Sequence, residues 1–478
     1  SKRLMGCVKY LYMKVSKNLT IGIASGYISC TNIAQTITLH QKNKLNMKKL
    51  YLTLILMQAL QANAQEQWSV WQCMDYAVEH NHNVRKATLT LDNYKAEKLS
   101  AIGSFLPNIG ANIGAQYNFG RAIDPETNTY TDVSTFNNSY SLSTSLPIFD
   151  GFSRIHSLRA AKADVLMGKN NLQQQKDQTA LAVFQAFINV LYYKGTVKMA
   201  EEKLQESILT LKQTRLMEEI GRKSPADVAQ IEAQLAADEY LITQQQNNLH
   251  LAMLSLKKEM NYPLADTLIL SENHSLTTED KNIAEISANG ITNNPELQQS
   301  YYAQRSALHQ LRRTRSALFP SLSVNAGIGT NYYKTLHSEN TQSFNQQFKN
   351  NRGEFVGASI SIPLFNRLNT IASIRRAKNN YKIACENYEQ KTVELQKLLK
   401  EAELDYYGSI KETKQLEKKA ASDSIAYSLI KHQYNEGLST AIDLQTSAST
   451  LLKTRADLAK SRLTIALKRQ LIRYYTAL

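Results

Sequence analysis

Leu322-Ser323-Val324-Asn325-Ala326-Gly327-Ile328-Gly329-Thr330-Asn331-Tyr332 repeats with a period of two. Leu322, Val324, Ala326, Ile328, Thr330 and Tyr332 alternate with Ser323, Asn325, Gly327, Gly329 and Asn331. An extended chain sends successive side chains to opposite faces, so the pattern predicts a strand with one apolar face and one small, uncharged polar face. Three other segments alternate likewise. Ile109, Ala111, Ile113, Ala115, Tyr117 and Phe119 stand against Asn112, Gln116 and Asn118. Tyr140, Leu142, Thr144, Leu146 and Ile148 stand against Ser139, Ser141, Ser143 and Ser145. Val356, Ala358, Ile360 and Ile362 stand against Gly357, Ser359 and Ser361. Each run is about 10 residues, the length of a tilted membrane-spanning strand. The connections Arg121–Phe136 and Tyr333–Glu354 are long, polar and rich in Asn and Thr, as in the outer loops of barrels. Taken alone, the four runs fit half-exposed hairpins of a soluble domain equally well.

The strands recur as pairs because the chain repeats itself. Ser145-Leu146-Pro147-Ile148-Phe149-Asp150 matches Ser361-Ile362-Pro363-Leu364-Phe365-Asn366. Gly221-x-x-Ser224-x-x-Asp227 matches Gly437-x-x-Thr440-x-x-Asp443 at an identical offset, and Phe105-Leu106-Pro107 matches Leu318-Phe319-Pro320 at a slightly shorter one. Three markers in one order at a near-constant spacing indicate a duplication. Each half reads as a helix (about Cys73–Ser104 and Pro295–Leu318), a strand pair, a very long helix, a short break and a second helix. Gly151 to Glu219 contains no proline, and Phe184, Phe187, Ile188, Leu191, Leu204, Ile208 and Leu211 recur at three and four. Thr370 to Glu436 repeats the pattern with Leu395, Leu398, Leu399 and Ala402. About 65 helical residues span roughly 100 Å, more than a compact domain allows, which predicts coiled coil. Pro147 and Pro363 are placed where strand becomes helix, with Asp150 and Asn366 as helix N-caps.

Composition narrows the function. The formal charge of +15 is concentrated at the N-terminus: nine of the 56 Lys and Arg fall in residues 1–64, which hold no Asp or Glu. The remaining 47 basic and 41 acidic residues leave +6, without the clustered basic face that nucleic acid requires. Met47-Lys48-Lys49, the apolar run Leu50–Leu60 and Ala62-Asn63-Ala64 read as the basic region, hydrophobic region and A-x-A cleavage site of an export signal. Residues 1–46 are then upstream translation, 47–64 the signal peptide, 65–261 the first repeat, 262–283 a linker and 284–478 the second repeat. Asn18–His40 is a weaker choice for the hydrophobic region, being rich in Ser, Thr and Asn. Cys73 and Cys385 are treated as unpaired. No nucleotide loop, HExxH or Cys-x-x-Cys motif occurs, and no cofactor or catalytic constellation is expected. His80-x-His82 beside Glu79 is the one metal-like cluster; placed at a helix start, residues i and i+2 diverge, so no metal site is expected.

The two short breaks carry their own chemistry. Gly221 and Gly437 end one helix; Ser224 and Thr440 cap the next, with Pro225 at the first helical position of the first repeat. Asp227 and Asp443 stand three residues further on, as in a capping box. Capping alone accounts for Asp227.

Export signal, duplication, a strand pair per half, long paired helices and the Gly-x-x-Ser/Thr-x-x-Asp turns together resemble the TolC-like outer-membrane efflux family, over essentially Gln65 to Leu478. The resemblance implies a mainly α protein with a membrane β part. Long helical hairpins would form a periplasmic α-barrel, and each subunit of a homotrimer would give four strands to one shared outer-membrane β-barrel. A four-stranded sheet could not close its edges in lipid without sibling chains, which is an independent reason for the trimer. The turns would be the periplasmic tips. Asp443 aligns with the first acidic position of the family's Gly-Thr-x-Thr-x-x-Asp-x-x-Asp motif, which lines the pore entrance and selects cations or binds blocking metals; the second acidic position is Thr446.

The reading that follows is a passive exit duct, not an enzyme. It would serve an inner-membrane pump through a periplasmic adaptor (membrane fusion) protein, for efflux or type I secretion. The rival is a soluble periplasmic coiled-coil adaptor or scaffold.

Overall fold

The computed structural model describes residues 67–123, 128–132, 134–271, 291–336 and 342–476. The expected upstream segment 1–46, the export signal 47–64 and much of the linker 262–283 lie outside them. From Trp68 the chain runs α1 (Val70–His80), α2 (His82–Gly103), β1 (Asn108–Asn118), β2 (Arg121–Ile123), β3 (Tyr130–Asp132), β4 (Thr135–Phe149), α3 (Ser153–Glu219) and α4 (Pro225–Met260). A 3₁₀ turn (Ile291–Asn293) opens the second half. It continues through α5 (Pro295–Ser316), β5 (Ser321–Thr335), α6 (Phe344–Asn350), β6 (Gly353–Ser361), α7 (Asn369–Asn435) and α8 (Ala441–Thr476). Both ends of α3 and α4 recur in α7 and α8 at the offset that carries Gly221 onto Gly437. At 67 residues each, α3 and α7 are about 100 Å long.

β1, β4, β5 and β6 form one antiparallel sheet in the order β1-β4-β5-β6. Its register lines up the apolar faces: Ile109 faces Thr144 and Ala111 faces Leu142. Leu142 faces Ile328 and Leu146 faces Val324. Ala326 then faces Val356, and Leu322 faces Ile360. The reverse face pairs Asn112 with Ser141, Ser145 with Asn325 and Ser323 with Ser359, whose hydroxyls bond at 2.8 Å. Phe355 lies on this polar face opposite Gly327; a Cβ on Gly327 would stand 2.7 Å from the ring, so only glycine fits beneath it. Apolar side chains that a soluble domain would bury stay open: Ile113 is 72% and Val356 82% exposed. Among the described residues nothing pairs with the outer edges of β1 and β6.

Several boundaries differ from expectation. The first helix is two helices, because Asn81 is extended and caps α2 with its side chain on the Asn83 N–H at 2.7 Å. His80 therefore ends one helix and His82 begins the next; the His80 ring stacks on Tyr76 at 4.0 Å and its Nδ1 lies 2.9 Å from the Tyr76 carbonyl. The long connections carry structure of their own, the β2–β3 hairpin and α6. Pro147 is inside β4, opposite Ser323 and beside a bulge, whereas β6 stops at Ser361 before Pro363 is reached. A bulge tolerates the missing N–H. Asp150 and Asn366 are not the cap residues. Phe152 and Leu368 hold those places in left-handed conformation, without side-chain caps. Asp150 and Asn366 instead accept from the N–H of Arg154 (3.1 Å) and Thr370 (3.3 Å), inside the helix. At each junction two successive residues have positive φ, Gly151–Phe152 and Arg367–Leu368, which turns the chain sharply from sheet into helix.

The main core lies where α1, α3 and α4 meet, around Cys73, Val183, Phe187, Leu256 and Met260. Trp68 joins Leu270 there in a parallel bridge. Cys73 is buried, which pushes its thiol up to about 12, and both Cys73 and Cys385 are free thiols. The halves also meet near the sheet, where His156 of α3 stacks on His309 of α5 at 6.0 Å. Burial and the nearby Arg159 and Arg312 hold both imidazoles below their ordinary value. None of the described helices is long and apolar enough to cross a membrane.

Candidate functional site: the hairpin tips

Helix α3 ends as a Schellman turn. Gly221 has φ +77°, its N–H bonds the Glu218 carbonyl (2.8 Å), and the Arg222 N–H bonds the Met217 carbonyl (2.7 Å). The second turn is the same: Gly437 at φ +79° bonds Tyr434 (3.1 Å), and Leu438 bonds Gln433 (2.8 Å). Nothing lies within 4 Å of a Cβ at either glycine, so the backbone conformation, and not crowding, requires them.

Ser224 then opens α4 with a full capping box. Its hydroxyl accepts from the Asp227 N–H at 3.2 Å, and Asp227 accepts the Ser224 N–H at 3.0 Å, with Pro225 in the first turn. Thr440 and Asp443 reproduce it at 3.2 and 3.1 Å, and the Thr440 hydroxyl donates to Asp443 at 2.6 Å. The Thr440 hydroxyl and N–H hold the Asp443 carboxyl below the usual carboxylate range; Ser439 adds a longer contact of 3.4 Å. Ser224, through its backbone and hydroxyl, does the same for Asp227. Both residues are therefore permanent anions at neutral pH. Asp443 is exposed, and so is Thr446 one turn further on, where its carbonyl accepts the Thr450 hydroxyl.

What the sequence did not reveal is that the two turns are fastened to each other. Tyr434, at the end of α7, is 1% exposed in a cluster with Leu211, Val228, Ile231, Ala441 and Leu444. Its hydroxyl lies 2.9 Å from that of Thr214 on α3. Lys223 of the first turn places its ammonium 4.0 Å above the Tyr434 ring. One step higher, Lys431 of α7 pairs with Glu206 of α3. Tyr427 also bonds Glu206, and burial together with that bond pushes its hydroxyl well above its ordinary value. Thr214 and Tyr434 are 220 residues apart in sequence, and no local pattern announces the contact.

Among the described residues no group of three or more His, Cys, Asp or Glu could hold a metal. The tips thus present two anions and a polar latch between the hairpins.

The same architecture defines a class of proteins, the outer-membrane channels. The chain superposes on VceC of Vibrio cholerae with a TM-score of 0.73 at 13% identity, covering 85% of this chain and 95% of that one. Against CmeC of Campylobacter jejuni the TM-score is 0.75 at 15% identity, covering 85% of each chain. The sequence family "Outer membrane efflux protein" matches residues 74–261 and again 289–476, and the chain belongs to that family. Outer membrane protein TolC of Salmonella enteritidis is 22% identical over 403 residues, 82% of this chain and 79% of that protein. The protein is thus an outer-membrane efflux protein of TolC-like fold, not a scaffold free in the periplasm.

Proposed function

We propose that the protein is the passive exit duct of a tripartite efflux or type I secretion assembly, working as a homotrimer. The observation that carries this is the sheet. Its apolar side chains share one face, open at Ile109, Ile113 and Val356 and covered at Tyr140 and Tyr332 by Phe344 and Phe348 of α6; the reverse face is small and polar apart from Phe355, and among the described residues nothing pairs with either edge. Unpaired strand edges are costly in lipid, so further copies of the same sheet must close it. The apolar face then meets lipid and the polar face lines the conduit. The hairpins extend into the periplasm, where the tips receive cargo from an inner-membrane pump through an adaptor. Large apolar residues exposed at the tips, Ile220, Leu438 and Ile442, supply a docking surface for that adaptor.

Three copies of Asp443 around the axis would form an anionic ring that attracts cations. Thr446 replaces a second ring. Bilayer recordings test this. D443A is expected to raise conductance and abolish block by divalent cations, whereas D227A leaves block unchanged. With wild-type protein, block should fade on acidification only below the usual carboxylate range, because Thr440 keeps Asp443 ionised. Block that persists in D443A would remove Asp443 from the pore.

A further inference from the structure

Lys203 and Ser207 on α3 meet Asp238 on α4. The ammonium lies 2.9 Å from Asp238 Oδ1, the Ser207 hydroxyl donates to Oδ2 at 2.5 Å, and Gln234 donates to Oδ1 at 2.8 Å. Asp238 is 2% exposed and Lys203 12%, so this ion pair is inside the coiled coil. The repeat offset that carries Gly221 onto Gly437 takes Lys203 to Lys419, Ser207 to Asp423 and Asp238 to Thr454. Those three residues also meet. Lys419 lies 2.7 Å from Asp423, the Thr454 hydroxyl donates to Asp423 at 2.6 Å, and Lys419 donates to Thr454 at 2.5 Å. Each hairpin therefore holds a lysine, a carboxylate and a hydroxyl at the same level. Between the repeats the carboxylate and the hydroxyl have exchanged helices, so the second ion pair lies within α7 with Lys419 half exposed, and only Thr454 ties it to α8.

We infer that Lys203, Ser207 and Asp238 are positioning residues that pin the register of the first hairpin, so that α3 and α4 move as one body. Buried polar groups cost stability in exchange for a unique register. Here a slip of one helical turn, about 5.4 Å, would leave Lys203 or Asp238 buried without its partner. The seam between the hairpins is built differently. Beside the first triad it contains a cavity of about 220 Å³, lined in part by Glu202, Glu206, Tyr427 and Arg455. The consequence for gating rests on the tips being a channel entrance, but the pin itself does not, and its test reads register without requiring transport.

Arg215 and Glu232 face each other across α3 and α4 at 2.6 Å, below the first triad. In full-length protein purified from membranes, oxidative cross-linking of R215C/E232C reports the native register. R215C/A236C reports a slip of one turn. Cross-linked peptides are identified by mass. D238T is expected to raise the slipped product by about fivefold or more relative to the native one. The exchanged pair K203D/D238K, which keeps opposite charges facing across the two helices, should return it to the wild-type ratio. An unchanged ratio in D238T, or an exchanged pair as loose as D238T, would overturn the inference. If D238T fails to assemble, the yield of assembled protein becomes the readout: recovery in K203D/D238K supports the pin, and no recovery refutes it.

Discussion

Y434A should hold the tips open. Its single-channel conductance is expected to exceed wild type severalfold, with trimers that remain intact. Tyr434 is the largest buried side chain of the tip cluster, and it belongs to the second hairpin while Thr214, Lys223 and Val228 belong to the first. Deleting a buried aromatic ring removes about 3–5 kcal/mol of packing. Each 1.4 kcal/mol shifts an equilibrium about tenfold, so even the part of this loss that falls on the seam would move a closed population to a mostly open one. Y434F keeps the ring and loses only the Thr214 contact, about 1 kcal/mol, and should raise conductance less. Planar-bilayer recordings of both variants decide the matter. Wild-type conductance in Y434A trimers would mean that the seam does not hold the entrance shut.

The second large effect concerns the sheet. I113R and V356R each place an arginine on the apolar face, in the middle of β1 and near the start of β6. An arginine on the lipid side of a barrel strand costs about 2–4 kcal/mol near the midplane. In a trimer that cost falls three times, roughly 6–12 kcal/mol for an assembled barrel. Assembly into the outer membrane should fall to background for I113R, measured by fractionation and heat-modifiable mobility. S141R, on the opposite face of β4, should assemble and make the channel less cation-selective. Normal insertion of I113R together with failure of S141R would reverse the assignment of the two faces.

Why these elements could be read from sequence and others could not is a matter of range. A strand or a helix writes its period into adjacent residues, so the four strands and the paired helices were legible, as were the capping boxes of the two tips; the one at Ser69 and Gln72 that opens α1 went unread. The tip glycines were legible too, because a left-handed residue ending a helix is a local demand. Contacts across the duplication leave no such trace. Thr214–Tyr434 and Glu206–Lys431 join positions far apart in the chain, one in each repeat, that do not correspond under the repeat offset. The two triads were hidden for a different reason. Lys203 and Lys419 correspond, but Ser207 became Asp423 and Asp238 became Thr454, so comparing residue types at the repeat offset shows only differences. Boundaries failed where backbone geometry overrode residue preference. Pro147 sits within β4 because a bulge absorbs it, and Asp150 reaches the Arg154 N–H from outside the cap position, which Phe152 holds in left-handed conformation.

The account depends on sibling chains closing the sheet that one chain leaves open. Native mass spectrometry of the protein extracted from outer membranes in mild detergent measures this directly. A particle of three chains is predicted, stable until the detergent is exchanged for a denaturing one. A water-soluble single chain, recovered without detergent and with Ile113 and Val356 covered by its own helices, would contradict it.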